Sequence, residues 1–549
     1  MAEQSEFDRS LARELGLEIP HQSRSTLERA ERAFLSQHYG QKTQIQENAI
    51  DPIFLGRNAL LVSPTASGKT EAALVPIAAR ILTGGMKSLC IYICPTRALA
   101  NDLERRLETP LKRLGLELEV KHGDRHLPLN AGRFAILLTT PESLDVLLGK
   151  GLRFLTDVRH VVIDEAHQIY GQPRGYHLLF LLERLKAMGR QPLHRVALSA
   201  TVETPSKLAS WLKGSDAELL AFGSEAKRIL SAQFLFPMSP HSLRNWLSGI
   251  PAKKMLIFAN TRRRCEEVFL AIQNTTPYEA YVHYSTLEKM DREYVEKRFK
   301  KAAFAVCVAT STMELGIDIG SVDAVLLADP PNSVASFVQR VGRGGRRGES
   351  CPCYLAPRDD RELLRFCALL ALAQKGMIEP IVEGCAHSVL VQQVFSCVAA
   401  KDNHRVLPEE IKSFCQPWAG YHRAVDAILE NLVAKKYLAA EAGWRSLRMG
   451  PKLAELYNKK GIYSNIADSD TGVAVYAQDR KLGTLPLPRD VKKGNVILFA
   501  GRYWRIESIR DSSILVSKTA QVADPLVPRW GTRGLKSSDL VTRQMRSLL

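Results

Sequence analysis

The sequence contains no apolar run approaching the 18 or so residues that a membrane-spanning helix needs, and its opening stretch, MAEQSEFDRS, has no apolar segment of the kind found in secretory leaders. These two absences set the expectation of a cytoplasmic protein. Paired CxxC motifs are also missing. The ten cysteines, at 90, 94, 265, 307, 351, 353, 367, 385, 397 and 415, are scattered, which argues against a zinc ribbon and against a disulfide scaffold. Most read as small buried hydrophobes. Cys351 and Cys353, on either side of Pro352, share one face of an expected strand, but no further ligand cluster accompanies them. Low-complexity tracts and short internal periods are absent too, so a fibrous or repeat architecture is excluded. Acidic residues are in deficit: 58 Asp and Glu stand against 75 Lys and Arg, a net charge of +17. Such an excess favours a polyanionic partner such as nucleic acid, although part of it serves any solvated surface.

What is present is globular. The 549 residues are 45% hydrophobic and 24% charged, and at about 150 residues per domain they set an expectation of three to four domains. From 58 to 201, short apolar runs alternate with helical stretches: ALLVS, SLCIYICP, FAILLTT, HVVIDEAH and RVALSAT. A second series follows, with KMLIFANT, YEAYVHY, FAVCVAT, AVLLAD and CPCYLAP. Strands alternating with helices predict doubly wound parallel sheets, here two α/β domains in tandem. Beyond 358 the pattern turns helical, and three helices before the β-prone WRSLRM predict a winged helix. From 461 the glycine-punctuated runs GVAVYA, KLGTLPL, NVILFAGRYWRIESI and SILVSK predict a small barrel or sandwich. The expected divisions are an N-terminal helical segment at 1–39, α/β domains at 40–225 and 226–357, a helical linker with winged helix at 358–460, and a β-rich domain at 461–549. Phe7, Leu11 and Leu15, at i, i+4, i+8 spacing, predict a small amphipathic helix in the first segment.

Three motifs carry chemistry. SPTASGKT, residues 63–70, follows a strand and precedes a helix, the context of a phosphate-binding loop. Backbone N–H groups of Thr65, Ala66, Ser67 and Gly68 can cradle phosphates, Lys69 can reach the β and γ oxygens, and Thr70 can hold Mg²⁺. VVIDEAH ends a strand in two adjacent carboxylates, 95 residues after Lys69. Asp164 suits the metal ion, and Glu165 suits orienting and deprotonating an attacking water. QRVGRGGRRG, from Gln339, runs from a helix into an arginine-rich stretch in the second domain. Arg343 and Arg346, three apart, can face one cleft and stabilise charge on a transferred phosphoryl group. The plainer reading of that stretch is a surface loop that binds nucleic acid nonspecifically.

In this order the motifs resemble the DEAD/DEAH-box helicases of superfamily 2, whose two RecA-like domains close on ATP and Mg²⁺. TQIQENAI resembles the adenine-sensing Q motif, which implicates Gln46. PTRALA and TTPES resemble motifs that grip the nucleic-acid backbone, and with the second domain they implicate Pro95, Thr96, Arg97, Thr140, Pro141, Glu142, Thr261, Arg262 and Thr310. SAT resembles the motif coupling hydrolysis to movement, implicating Ser199 and Thr201 together with His167 of DEAH. ATSTMELGIDIG resembles motif V, implicating Thr310, Glu314, Gly316 and Asp318. Two positions depart from the pattern: Ser63 stands where the general loop has its first Gly, and Ala66 where this superfamily often has one.

The accessory segments resemble the large helicase-related (Lhr) family. That resemblance implies 3′→5′ translocation on single-stranded DNA, with repair or defence against foreign DNA as the setting. An RNA or RNA–DNA hybrid remodeller is a second reading, and a nucleic-acid-binding scaffold with a dead ATP site a third. The four-cysteine iron–sulfur insertion of some related helicases is missing, so no cluster is expected. Among Trp418, Trp444, Trp504 and Trp530, Trp444, beside Arg445 and Arg448 in the expected wing, is the candidate stacking platform; the alternative for each is a core role.

Overall fold

The computed structural model describes residues 21–35, 42–63, 67–84, 88–123, 125, 134–189, 192–200, 202, 204–213, 220–223, 232–235, 240–273, 278–314, 319–344, 352–379, 387–441, 443–459, 461–463, 473–485, 491–510, 513–522, 525 and 538–548. Phe7, Leu11, Leu15 and Trp530 lie outside them.

Two compact units emerge. The first comprises residues 1–226 and 380–468, and the second comprises 227–379 and 469–549. The helical stretch 358–460, expected as one body, is thus divided between them.

In the first unit seven strands form an all-parallel sheet: β1 (Ala59–Val62), β2 (Leu89–Ile93), β3 (Leu118–Lys121), β4 (Ile136–Thr139), β5 (Val158–Ile163), β6 (His194–Ser199) and β7 (Leu220–Gly223). Their order is β3-β4-β2-β5-β6-β1-β7. Side chains alternate between two cores, as a period of two requires. Leu60, Ile91, Ile93, Leu137, Val161 and Ile163 enter one, whereas Leu61, Cys90, Tyr92, Leu138 and Val162 enter the other. Because both faces are covered, these strands read in the sequence as unbroken apolar runs. The second core is closed by helices His21–Leu35, Gln44–Phe54, Lys69–Gly84 and Arg97–Leu114.

The first core extends beyond the α/β domain. Val389, Phe395, Phe414, Tyr421 and Leu447 join it, so the helical region from 387 onward is packed on the first sheet's helices. There, helices His387–Ala399, Pro408–Cys415 and Ala419–Ala434 accompany a small antiparallel sheet of β14 (Arg405–Val406, between the first two helices), β15 (Leu438–Glu441) and β16 (Ser446–Met449), ordered β14-β16-β15.

In the second unit the parallel sheet has β8 (Ala232–Phe234), β9 (Lys254–Phe258), β10 (Glu279–His283), β11 (Ala305–Ala309), β12 (Ala324–Leu327) and β13 (Cys353–Leu355), ordered β10-β11-β9-β12-β13-β8. A five-stranded half-barrel follows: β17 (Val473–Ala477), β18 (Arg480–Leu485), β19 (Val496–Phe499), β20 (Arg502–Arg510) and β21 (Ser513–Lys518). It shares a core with the second α/β domain, where Val475, Phe499 and Trp504 cluster with Phe269, Val282 and Leu287. At Gly483 an added β-carbon would meet the Thr286 carbonyl oxygen at 2.3 Å, which shows how closely the two backbones approach. The chain ends in a helix, Asp539–Leu548, packed on helix Asp360–Gln374. No helix among the described residues is long and apolar enough to cross a membrane.

Candidate nucleotide and nucleic-acid sites

The candidate nucleotide site lies at the carboxyl ends of β1, β5 and β6. Lys69 opens its helix directly after Gly68, whose φ of +88° is a left-handed value that favours glycine. The Lys69 side chain is buried and donates to the Ser63 carbonyl oxygen at 2.5 Å. Burial lowers its pKa, while the carboxylates of Glu165 and Asp164 act in the opposite sense. Thr65 and Ala66 lie outside the described residues.

Asp164 follows β5 and is anchored by its own N–H to the Ile93 carbonyl at 2.9 Å. Its Oδ2 accepts from the Tyr92 hydroxyl at 2.7 Å, and its Oδ1 accepts from the Glu165 N–H at 2.9 Å. Burial and the adjacent Glu165 push its pKa up. That is a site in which added positive charge is favoured, and a bound cation would restore the ionised form. Among the described residues no three His, Cys, Asp or Glu side chains gather as a metal cage. A single carboxylate, with Thr70 at the start of helix Lys69–Gly84, suits Mg²⁺ carried on phosphates and keeping its waters. Glu165 has φ +47°, rare for a residue with a side chain, so strain is stored at the candidate base.

His167 links this acidic pair to the SAT segment. Its Nδ1 accepts from the Ala200 N–H at 3.2 Å and lies 3.5 Å from Glu165 Oε2. Burial and then Lys69 push its pKa down to about 3, so the ring is neutral and Nδ1 accepts the Ala200 N–H. Ser199, fully buried, donates its hydroxyl to the Ala200 carbonyl at 2.8 Å and accepts the Ser63 N–H on its own carbonyl at 3.2 Å. Thr201 lies outside the described residues.

Gln46 is buried against the loop. Its Oε1 accepts the Thr43 N–H at 2.9 Å and its Nε2 donates to the Gly68 carbonyl at 3.2 Å, while Thr43 Oγ1 donates to the Ser67 carbonyl at 2.8 Å. The Q-motif glutamine therefore holds the phosphate loop itself. Tyr92 and Thr43 were not singled out in the sequence; Tyr92 reads there as one more apolar strand residue.

Three residues implicated in gripping nucleic acid are helix N-caps at strand ends. Thr96 accepts from the Leu99 N–H at 3.2 Å, Thr140 from Ser143 at 3.4 Å and Thr261 from Arg264 at 3.1 Å. Each turn presents the amide-rich, positive end of a helix. Pro95 and Pro141 are buried beside them, Arg97 is exposed and lies over Gly123, and Arg262 donates to Ser285 Oγ at 3.3 Å. Arg174, which nothing in the sequence marked, joins two of these turns. It donates to both Glu142 oxygens, at 2.6 and 3.0 Å, and to the Pro95 carbonyl at 2.6 Å.

In the second unit, Arg343 directs Nε and Nη2 to the Glu314 carbonyl, at 3.1 and 2.7 Å. Arg340, buried, bonds Glu314 Oε2 at 3.1 Å and Asn260 Oδ1 at 2.9 Å, so the arginine-rich motif and motif V are tied together. Gln339 is half-buried on helix Val334–Val341, and the Thr310 N–H donates to the His283 carbonyl at 3.2 Å. Arg346, Gly316 and Asp318 lie outside the described residues.

Among the tryptophans, Trp504 is core, buried and donating Nε1 to the Phe499 carbonyl at 3.0 Å. Trp418 packs edge-on against Phe180. Trp444 is 41% exposed at the tip of the β15–β16 hairpin, with φ +71°. Arg445 is exposed beside it, whereas Arg448 pairs with Glu441 at 3.0 Å and Lys452 lies over the Tyr437 ring. Of the eight described cysteines seven are buried and Cys367 is half-buried; Cys351 and Cys385 lie outside the described residues.

A phosphate loop with its lysine, an acidic pair closing a parallel strand and a second α/β domain with an arginine-rich helix end define a tandem RecA-like nucleotide-binding pair. The DEAD/DEAH box helicase family matches residues 43–208, and the helicase conserved C-terminal domain matches residues 240–348. The chain belongs to the DEAD/DEAH-box helicase superfamily and within it resembles the Lhr helicases. It is 31% identical to the ATP-dependent helicase Lhr-Core of Methanocaldococcus jannaschii, over 92% of this chain and 65% of that protein. It is 28% identical to the Lhr helicase/probable uracil glycosylase of Mycolicibacterium smegmatis, over 88% of this chain and 38% of that one. The chain thus spans just under two thirds of the first relative's length and well under half of the second's. Among solved structures it resembles Mycobacterium smegmatis helicase Lhr bound to ssDNA and AMP-PNP, with a TM-score of 0.68, 28% identity and coverage of 79% of this chain and 61% of that one. The fold is also shared with the DUF1998 helicase MrfA bound to DNA, at a TM-score of 0.73 and 20% identity, over 90% of this chain and 73% of that one.

Proposed function

We propose that the chain is an ATP-dependent, Lhr-type motor that translocates 3′→5′ on single-stranded DNA and separates duplexes, acting in the cytoplasm in DNA repair or in defence against foreign DNA. The observation that carries the reading is the linkage of Lys69, Asp164, Glu165 and His167 to Ser199 and Ala200, a phosphate site wired to its neighbouring strand. In this reading Lys69 pairs with the β and γ oxygens, and Asp164 and Thr70 hold Mg²⁺, which supplies charge neutralisation when bound. Glu165 orients the attacking water and takes its proton. Arg343 and Arg346 complete the charge stabilisation of the transferred phosphoryl group, and the Glu314 carbonyl presets Arg343. Hydrolysis is reported through His167 to Ala200.

Strand binding rests on the capped turns at Thr96, Thr140 and Thr261, which hold phosphates rather than read bases. The relative bound to ssDNA and AMP-PNP supports DNA as the substrate. We read the region 387–458, with its hairpin, as a winged helix that holds the tracked strand.

The test is ATPase activity with single-stranded DNA, forked duplex and RNA in parallel, together with unwinding of a 3′-tailed duplex. Stimulation by DNA and loss of unwinding on a 5′-tailed substrate are expected. Equal or greater stimulation by RNA would move the assignment to an RNA or hybrid remodeller, and absence of any turnover would leave a binding scaffold.

A further inference from the structure

One carboxylate in the first unit is over-served with donors. Asp145 is fully buried on helix Pro141–Gly149, in the turn that follows the strand-gripping residues Thr140, Pro141 and Glu142. Two donors come from helix Pro173–Met188: His177 Nε2 at 2.9 Å, which carries its proton because it faces a carboxylate, and Arg184 Nη1 at 3.0 Å. Three more come from helix His387–Ala399: Gln392 Nε2 at 2.8 Å, Gln393 Nε2 at 2.9 Å and Ser396 Oγ at 2.5 Å. Arg184 also donates to Gln393 Oε1 and Ser396 Oγ, at 3.0 and 2.9 Å. Burial alone would raise the Asp145 pKa. The His177 hydrogen bond, the Arg184 charge and the Ser396 hydroxyl overcome it and hold the group well below the usual carboxylate range.

This polar island lies in an otherwise apolar contact, since Val389, Leu390, Val394 and Val398 are buried on the same accessory helix. Gln392, Gln393 and Ser396 share one face, three and four residues apart. Were the helix to slip along its axis, a buried charge would lose its partners, so the network fixes one register where apolar packing would tolerate several. Helix Pro173–Met188 carries in its first turn Arg174, the residue that clamps Glu142 and the Pro95 carbonyl. Asp145 thus sits where three helices meet: one begins at the Thr140–Glu142 turn, and another carries Arg174, which bonds both Glu142 and Pro95.

We propose that Asp145 is a positioning residue through which the accessory helix His387–Ala399 sets the geometry of the Pro95–Arg97 and Thr140–Glu142 turns, so that the accessory region controls affinity for the nucleic-acid strand. The effect on affinity rests on the strand-binding role given to those turns above. The clasp itself does not.

The test uses the full chain carrying Gln393→Leu with Ser396→Ala, two changes on the accessory helix and outside the strand-gripping turns. Basal ATPase without nucleic acid should stay within about twofold of wild type, while the half-saturating concentration of an oligothymidylate rises roughly tenfold. Ser396→Thr, which keeps the hydroxyl, should retain the wild-type value. Should the double variant not fold, Ser396→Ala removes one donor and takes its place. A variant that melts like wild type and keeps the wild-type half-saturation overturns the proposal. Hydrogen exchange without nucleic acid reads the clasp separately. Faster exchange across Pro141–Gly149 supports it, and unchanged exchange overturns it, even if the wild-type ATPase ignores every strand offered. In that last case the function proposed above fails on its own account.

Discussion

A β-carbon added at Gly68 would stand 2.3 Å from Nε2 of Gln46 and 3.3 Å from Oγ1 of Thr43. The glutamine is therefore seated on the phosphate loop because the loop residue beneath it has no side chain. Gly68→Ala meets two penalties, this collision and a φ of +88°, which costs a residue with a side chain about 1–2 kcal/mol. We expect it to abolish binding of a fluorescent ATP analogue, with Gln46→Ala alone milder. The double variant relieves only the collision and should recover binding partly. Wild-type nucleotide affinity in Gly68→Ala would show that the glutamine does not brace the loop.

Lys69→Ala and Glu165→Gln should both stop turnover, by different routes. The first removes a buried cation that sits among Ser63, Asp164 and Glu165, and ATPase should fall roughly 10²-fold or more with weaker nucleotide binding. The second keeps the shape and the strained backbone of Glu165 but cannot take a proton, so nucleotide binding should persist without hydrolysis. Steady-state ATPase and nucleotide titration separate the two. Near wild-type turnover in either variant would overturn the active-site assignment.

Ten of the thirteen strands in the two parallel sheets were legible as apolar runs, because a sheet covered on both faces leaves no polar alternation to confuse with a helix. The three that were not lack that signal. β3 is LEVK, half-buried at an edge, and β7 and β8 are short strands of four and three residues either side of the expected boundary between the two α/β domains. The nucleotide-site residues were legible because phosphate chemistry fixes their spacing. Tyr92, Arg174 and Asp145 were not, since each acts through a partner 32 to 251 residues away, and no local pattern records that pairing. Nor did the sequence reveal that each accessory region shares a core with its motor domain. A truncation after about 357 would strip apolar surface from both units and expose it to water.

Trp444 provides a test in which stability and function should move in opposite directions. It follows Gly443 at the hairpin tip, and the two have φ values of +71° and +65°. Consecutive left-handed residues are normally Asn or Gly, so a bulky aromatic here is strained. Trp444→Gly should leave melting unchanged or raise it, by up to about 1 kcal/mol of relieved strain. If Trp444 stacks on a base, the same change should slow unwinding of a 3′-tailed duplex more than it slows ATP hydrolysis, since stacking is worth about 1–3 kcal/mol per base. A lowered melting temperature with normal unwinding would make it a packing residue.

The half-barrel is fastened to the second α/β domain through a buried acid. The β19–β20 turn, Ala500 and Gly501, has φ of +57° and +67°, and it points its amides inward. The Ala500 N–H donates to Tyr284 Oη at 3.0 Å, Tyr284 Oη donates to Glu266 Oε1 at 2.7 Å, and the Gly501 N–H approaches the same oxygen at 3.4 Å. Glu266 Oε2 finds no partner among the described residues. Burial, opposed by those hydrogen bonds, pushes the Glu266 pKa up from 4.5 to about 7. The folded chain then holds this proton more tightly than the unfolded chain does. Stability from this group is greatest below about pH 4.5, is withdrawn as pH rises, and is fully lost above about pH 7, a difference of roughly 3 kcal/mol. Glu266→Gln cannot ionise. It should melt close to wild type at pH 5 and several degrees above it at pH 8, with the gap opening between. A gap that stays constant across this range would mean that Glu266 is ionised, and stabilised as such, in the folded protein.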